Sequence, residues 1–481
     1  MRGMNKLWRK IRVAGRGILV TILVCGLSVC FIGGRTACAA EAGGTDLAAA
    51  AEARKKLPVQ SNETPGWPAG PAITAQAAIL MEADTGTILY AKNIHEQNYP
   101  ASTTKILTCL LAVEEGSLTD EVRFSEQAVL SLPPGSSNIG IDPGEALPLE
   151  TALYGILVGS ANEVSNAVGE YIAGSIPAFV ERMNERARAL GCTDSHFANT
   201  NGLPDKTHLT SAYDLAVIAR AFFDHPLLAR ISGTDSYHFT KTATQKDDFT
   251  IRNKHKLVNG DIPYEGIVGG KTGYTDGARE TLVTCAERDG LRLICVVFKE
   301  ESPAQFTDTV TLFDYGFNNF RVADVAQEET RFLPGEPPFG NYLTDIFGSA
   351  SAVLSIDRSS RVILPTGVRI EDTDAVVSYD DPDIFARIDY RWHDIPIGSA
   401  AVLRKNSALT ADPKKGFPRI VTLRLFYVLP WIWGSAFSYC LLVTIITLLK
   451  SWHFGGLTIS ERRKLRRKRR ESRRERVHLD E

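Results

Sequence analysis

Residues 266–300 read GIVGGKTGYTDGARETLVTCAERDGLRLICVVFKE. Three segments of this stretch read as β-strands, GIVGGKTGYT (266–275), ETLVTCAER (280–288) and LRLICVVFKE (291–300), with a hairpin turn at Asp289-Gly290 between the last two. Far upstream, AAILMEADTGTILYAKN (77–93) holds two more apolar runs about Asp84-Thr85-Gly86, a second hairpin signal. Between the two hairpins the period changes. TKILTCLLAVEEG (104–116), LETALYGILVGSANEVSNAVGEYIAG (149–174), IPAFVERMNERARALG (176–191) and SAYDLAVIARAFF (211–223) carry helical spacing. A last helix is expected through FTDTVTLFDYGFNNF (306–320). Strands, then many helices, then strands predict an α+β domain whose sheet joins both ends of the segment around a helical half.

Outward from this domain the texture changes. After Val322 short segments such as RVILPTGVRI (361–370), ARIDYRW (386–392) and GSAAVLRKN (398–406) are separated by Pro, Gly and Asp, which predicts a small all-β domain over 322–407. Residues 408–424 form a linker to an uncharged run from Leu425 to Leu449. Those 25 residues would reach roughly 37 Å as a helix, enough for a ~30 Å hydrocarbon core, and predict a transmembrane span. A tail with 11 Lys and Arg between Arg462 and Arg476 follows, so 450–481 is expected on the cytoplasmic side and in contact with membrane lipid. At the other end, Arg2 to Arg16 precede an uncharged run (17–34) and Ala37-Cys38-Ala39-Ala40, the pattern of a signal peptide over 1–40, cleaved or kept as an anchor. Residues 41–71, rich in Ala, Gly and Pro, are expected to be a flexible arm.

Both ends are basic. The net charge of −2 therefore hides 35 bases against 51 acids in residues 41–449, a balance that argues against a nucleic-acid-binding core. Of the eight cysteines, Cys109, Cys192, Cys285 and Cys295 lie outside the leader and the span, and small buried thiols are expected rather than a disulfide framework. The 9 His residues show no zinc-ligand spacing, so no metal and no cofactor is expected.

Three short motifs carry chemistry. Ser102-Thr103-Thr104-Lys105 opens a helical run, which places the lysine one turn from the serine, and a desolvated, neutral lysine can take a hydroxyl proton. Ser160-Ala161-Asn162 interrupts an apolar helical segment with a second hydroxyl and an amide. Lys271-Thr272-Gly273 sits on a strand, where the glycine lets a ligand approach the backbone closely. Each motif alone is weak. Together they occur in order, 58 and 169 residues after Ser102, each in a suitable local context.

On these residues, and on YPASTTKILT, GSSNIGIDPGE, VGSANEVSNAV, FANTNGLPDKTHLTSAYDLA and GGKTGYTDGARETLV, the sequence resembles the D-alanyl-D-alanine carboxypeptidases, the low-molecular-weight penicillin-binding proteins of serine peptidase family S11. The resemblance covers about Ala72 to Phe320 and implies a β-lactamase/transpeptidase-like serine DD-peptidase domain over 72–321. It implies Ser102 as the acylated nucleophile, Lys105 as its base, and Ser160 and Asn162 as a proton-shuttling and substrate-orienting pair. Lys271, Thr272 and Gly273 would line the substrate site, the first two holding the terminal carboxylate, and the amides of Ser102 and Tyr274 would form the oxyanion hole. Implied partners are a peptidoglycan stem peptide ending in D-Ala-D-Ala and β-lactam antibiotics.

Two departures stand out. Where the family often carries an arginine for the terminal carboxylate, KEESPAQFTDTV (299–310) offers Pro303 or Gln305, which leaves Lys271, Thr272 and Arg279 for that task. Asn201 stands where His is frequent and reads as structural. The alternatives are a DD-endopeptidase, a β-lactamase, and a catalytically weak sensor of peptidoglycan or β-lactams that reports through the basic tail.

Overall fold

The computed structural model describes residues 47–332, 354–381 and 383–404, together with Lys464, Arg467 and Lys468. The chain divides into two units after Lys405, and of the second only those three residues are described, all helical and exposed. Among the described residues no helix is long and apolar enough to cross a membrane. The expected signal peptide and the transmembrane run 425–449 lie outside them, as do the linker and most of the basic tail.

The first unit is built on a five-stranded antiparallel sheet. Its strands are β1 (Ala77–Glu82), β2 (Ile88–Lys92), β3 (Ile267–Thr275), β4 (Arg279–Arg288) and β5 (Leu291–Glu300), in the order β2-β1-β5-β4-β3. Pairing of β1 with β5, from Ala77↔Phe298 to Glu82↔Leu293, joins the two distant hairpins into one sheet. Successive side chains of a strand point to opposite faces, so the continuous apolar runs of β1 and β5 supply two cores at once. Ile79, Met81, Ile294 and Val296 face the helical half, whereas Leu80, Leu293, Cys295 and Val297 face the helix Ala304–Asn319. A buried side chain of this kind contributes about 1.5–3 kcal/mol of transfer free energy.

The same alternation settles the cysteines. Cys285 pairs with Ile294 and Cys295 with Thr284, which puts the two sulfurs in different cores on opposite sheet faces. All four described cysteines are free and buried.

The helical half packs α1 (Lys105–Glu115), α2 (Leu149–Leu157), α3 (Asn162–Ala173), α4 (Ile176–Ala189) and α5 (Ala212–Phe223) into one apolar core. Local signals set their ends: Ser175 and Ser211 accept N-cap bonds from Ala178 and Asp214, and Gly174 at φ +79° ends α3.

Phe320 ends the helix that covers the sheet and begins a second sheet of six strands reaching to Arg404. The strand Ala386–Trp392 alternates strictly, turning Ala386, Ile388 and Tyr390 inward. The arm expected to be a flexible tether differs from that expectation over its described part, 47–71, because its polar and aromatic groups find partners. Arg54 Nε donates to Thr74 O (2.8 Å), Lys92 Nζ donates to Arg54 O (2.8 Å), Trp67 Nε1 donates to Leu89 O (2.9 Å), and Trp392 Nε1 donates to Pro65 O (3.1 Å). The arm thus straps the second sheet to the first.

Candidate active site

Strand β3 is an edge strand, and its free edge faces the start of α1. A strand edge offers unpaired backbone groups to an extended peptide. Gly273 makes the approach possible: a Cβ there would stand 2.8 Å from Ser102 N and 2.5 Å from Thr281 Oγ1. Ser102 belongs to a 3-10 turn, Ala101–Thr104, that runs into α1, and it is half-buried.

Lys105 is fully buried directly behind it. Its Nζ lies 3.0 Å from Ser102 Oγ, 2.7 Å from Asn162 Oδ1 and 2.7 Å from Asn201 O. Burial, and next the charge of Lys271, hold the Lys105 pKa well below the usual lysine range. A neutral amine has two N–H donors and one lone pair, so with Asn162 Oδ1 and Asn201 O accepting the two hydrogens the lone pair would be left for the Ser102 hydroxyl.

Ser160 and Asn162 come from the turn into α3. Ser160 holds φ +61°, a left-handed conformation unusual for a residue with a Cβ, and its Oγ accepts from Lys271 Nζ (3.0 Å). Lys271, on β3, is also buried, donates to its neighbour Thr272 O (2.8 Å), and has its pKa lowered to about 7, mainly by burial and then by Lys254. Asn162 N–H donates to Ser137 O (2.9 Å), and the carboxyl of Glu163 accepts from Ile139 N–H (2.7 Å), which fixes the 135–145 segment as the opposite wall.

Ser102, Ser160, Asn162, Thr272, Gly273 and Tyr274 all line one cleft of about 550 Å³, with Lys105 and Lys271 buried in its floor. The cleft also takes in residues the motifs did not single out. Lys254 and Lys256 reach it from a segment in which they alternate with the buried Asn253 and His255, and Lys254 Nζ approaches Ser137 Oγ at 3.4 Å. Gln305, 3% exposed, lines the same end, and its Oε1 has no partner. Nothing in an isolated N-K-H-K marks it as a site residue; the period-two burial is the one signal available.

Arg279 is placed otherwise than its candidacy for carboxylate binding requires. Its guanidinium is committed to Glu301, with Nη2 2.5 Å from Oε2 and Nε 3.1 Å from Oε1. Asn201 contributes its backbone carbonyl to Lys105, while its side chain bonds Asn166 and Leu203 and so holds the loop.

A family model for D-alanyl-D-alanine carboxypeptidases, peptidase family S11, matches residues 62–302. The chain belongs to that family. Among its relatives are D-alanyl-D-alanine carboxypeptidase DacF of Bacillus subtilis, 36% identical over 52% of this chain and 63% of the relative, and DacB2 of Mycobacterium tuberculosis, 33% identical over 52% of this chain and 84% of the relative. The match thus spans less than two thirds of the Bacillus protein. Among solved structures, penicillin binding protein 6B from Escherichia coli superposes with a TM-score of 0.54 at 26% identity, covering 70% of this chain and 98% of that one. That coverage extends beyond the family-model match, in keeping with a mixed α/β body followed by a β-sheet domain. In this S11 family member the three motifs therefore converge on one cleft, and among the described residues no cluster of His, Cys, Asp and Glu could hold a metal.

Proposed function

We propose that this protein is a serine-type carboxypeptidase that removes the terminal D-Ala from peptidoglycan pentapeptide stems through an acyl-enzyme on Ser102. The observation that carries the reading is the fully buried Lys105, whose Nζ stands 3.0 Å from Ser102 Oγ with its other neighbours both acceptors. Lys105 takes the hydroxyl proton as Ser102 Oγ attacks the penultimate carbonyl. The oxyanion forms against the amides of Ser102 and Tyr274, an arrangement worth roughly 3–4 kcal/mol per donor elsewhere. Ser160, which accepts from Lys271 Nζ, stands where it can give its proton to the departing D-Ala amine while taking one from Lys271, and Asn162 orients the acyl chain. Water then hydrolyses the ester. A β-lactam, which presents a strained amide and a carboxylate in the same order, acylates Ser102 and leaves slowly.

The terminal carboxylate needs a cation. Lys271 is buried and bonded to Ser160 and Thr272 O, and Arg279 is paired with Glu301, so Lys254 and Lys256, which line the same cleft as Thr272, take that role in this reading. Loss of a charge-assisted bond costs about 1.5–3 kcal/mol, and removing both side chains (Lys254→Ala with Lys256→Ala) is expected to lower kcat/KM roughly 10- to 100-fold. A substrate ending in a carboxamide should feel the change far less. Equal losses on the two substrates would remove these lysines from carboxylate recognition.

We place the domain outside the cytoplasm, attached by the run 425–449 with the basic tail inside; the leader-like first 40 residues and the charge of 450–481 support this orientation. The function is tested by incubating the protein with a D-Ala-D-Ala pentapeptide. Release of one D-Ala per peptide is expected, and an intact peptide after prolonged incubation would favour the sensor reading.

A further inference from the structure

The peptide group joining Ala101 to Ser102 does two things at once. It is trans, so its C=O and the Ser102 N–H point in opposite directions, and whatever holds the carbonyl aims the amide. Ala101 holds φ +49°, a conformation its Cβ disfavours, and such a residue persists only where its surroundings over-determine it.

Two neighbours do so. Gly202, at φ +87°, presses its backbone so closely on this carbonyl that a Cβ would stand 1.7 Å from Ala101 O. From the other side the Thr104 hydroxyl donates to Ala101 O (2.8 Å) and lies 2.8 Å from His208 Nε2. The direction of this chain is set one bond further back. Ala198 N–H donates to His208 Nδ1 (2.9 Å), so Nδ1 is the acceptor and Nε2 carries the proton. Nε2–H then donates to Thr104 Oγ1, whose single hydrogen is left for Ala101 O. His208 is 1% exposed, and burial lowers its pKa to about 4, so the imidazole stays neutral at working pH.

We propose that His208 and Thr104 are a positioning pair that locks the Ala101 carbonyl and thereby aims the Ser102 amide into the oxyanion hole. Neither side chain touches substrate. Their effect falls on the acylation step rather than on binding, and it rests on the reading of Ser102 as nucleophile and oxyanion donor.

Thr104→Val removes the hydroxyl at nearly constant shape, and Thr104→Ser returns it. With the full chain and a fluorescent penicillin, the limiting acylation rate, the dissociation constant of the preceding complex and the melting temperature are measured for each. A small displacement of a reacting group costs up to about 100-fold, so Thr104→Val is expected to slow acylation about 10- to 100-fold with little change in the dissociation constant, and Thr104→Ser to restore it. If Thr104→Val does not fold, His208→Leu takes its place, with slower acylation expected on folded protein. A folded Thr104→Val or His208→Leu that acylates at the wild-type rate overturns the proposal, as does equal slowing by Thr104→Val and Thr104→Ser. Wild-type protein that takes no label on Ser102 would instead overturn the underlying reading before any variant is compared.

Discussion

Lys105→Met is expected to remove acylation of Ser102 almost completely while leaving the cleft in place. The side chain is buried among groups that bond its amine and keeps roughly its length in the variant, so the loss falls on proton transfer. A positioned base contributes up to about 10⁴-fold, and removal of one member of a unit that acts together can cost still more. A drop of about 10⁴-fold or more in the rate of penicillin acylation, followed by stopped flow or by mass, is the expected result. The pH dependence gives the sign. Burial favours the neutral amine, which is the form that accepts the proton, so the wild-type rate should rise with pH through a midpoint well below the ordinary lysine value of 10.5. Because the charge of Lys271 helps to hold that midpoint down, Lys271→Gln should move the same limb to higher pH. A limb that stays in place in Lys271→Gln would mean that another group limits the rate.

Gly273→Ala is the second large effect. The added methyl would meet Ser102 N at 2.8 Å, Thr281 Oγ1 at 2.5 Å and Pro100 O at 3.0 Å, and two of these are backbone atoms that cannot swing aside. Strand β3 must then move away from Ser102, which in the proposed mechanism parts the two amides that would receive the oxyanion. Removal of one such donor costs about 10²–10³-fold in kcat elsewhere, and a loss of that order is expected here, measured on D-Ala release. Since β3 is an edge strand, the displacement should leave the β4–β5 core and the melting temperature nearly unchanged. A large fall in melting temperature with proportionate loss of folded protein would show instead that the glycine serves packing.

Much of this was legible in the sequence because local pattern and tertiary role coincide. The strand runs 77–93 and 280–300 are apolar on both faces, which is what a sheet between two cores demands, and the serine–lysine spacing in Ser102 to Lys105 survives as a direct contact. Other features depend on partners far away in the chain. Arg279 is a candidate cation by sequence, and the residue that occupies it, Glu301, lies 22 residues further on. Lys254 and Lys256 lie in no catalytic motif, and they become site residues only because the burial of Asn253 and His255 turns them to the cleft. The arm over 47–71 has the composition of a tether, yet single side chains such as Arg54 and Trp67 dock it. Composition reports average solvation, whereas a strap needs only a few well-placed bonds.

The most direct measurement is to trap the protein with a penicillin at neutral pH, digest it and locate the adduct by peptide mass, with Ser102→Ala alongside. One adduct on the peptide that contains Ser102, absent from Ser102→Ala, is the predicted result. An adduct on Ser160, or one that persists in Ser102→Ala, would contradict the assignment of the nucleophile and of Lys105 as its base.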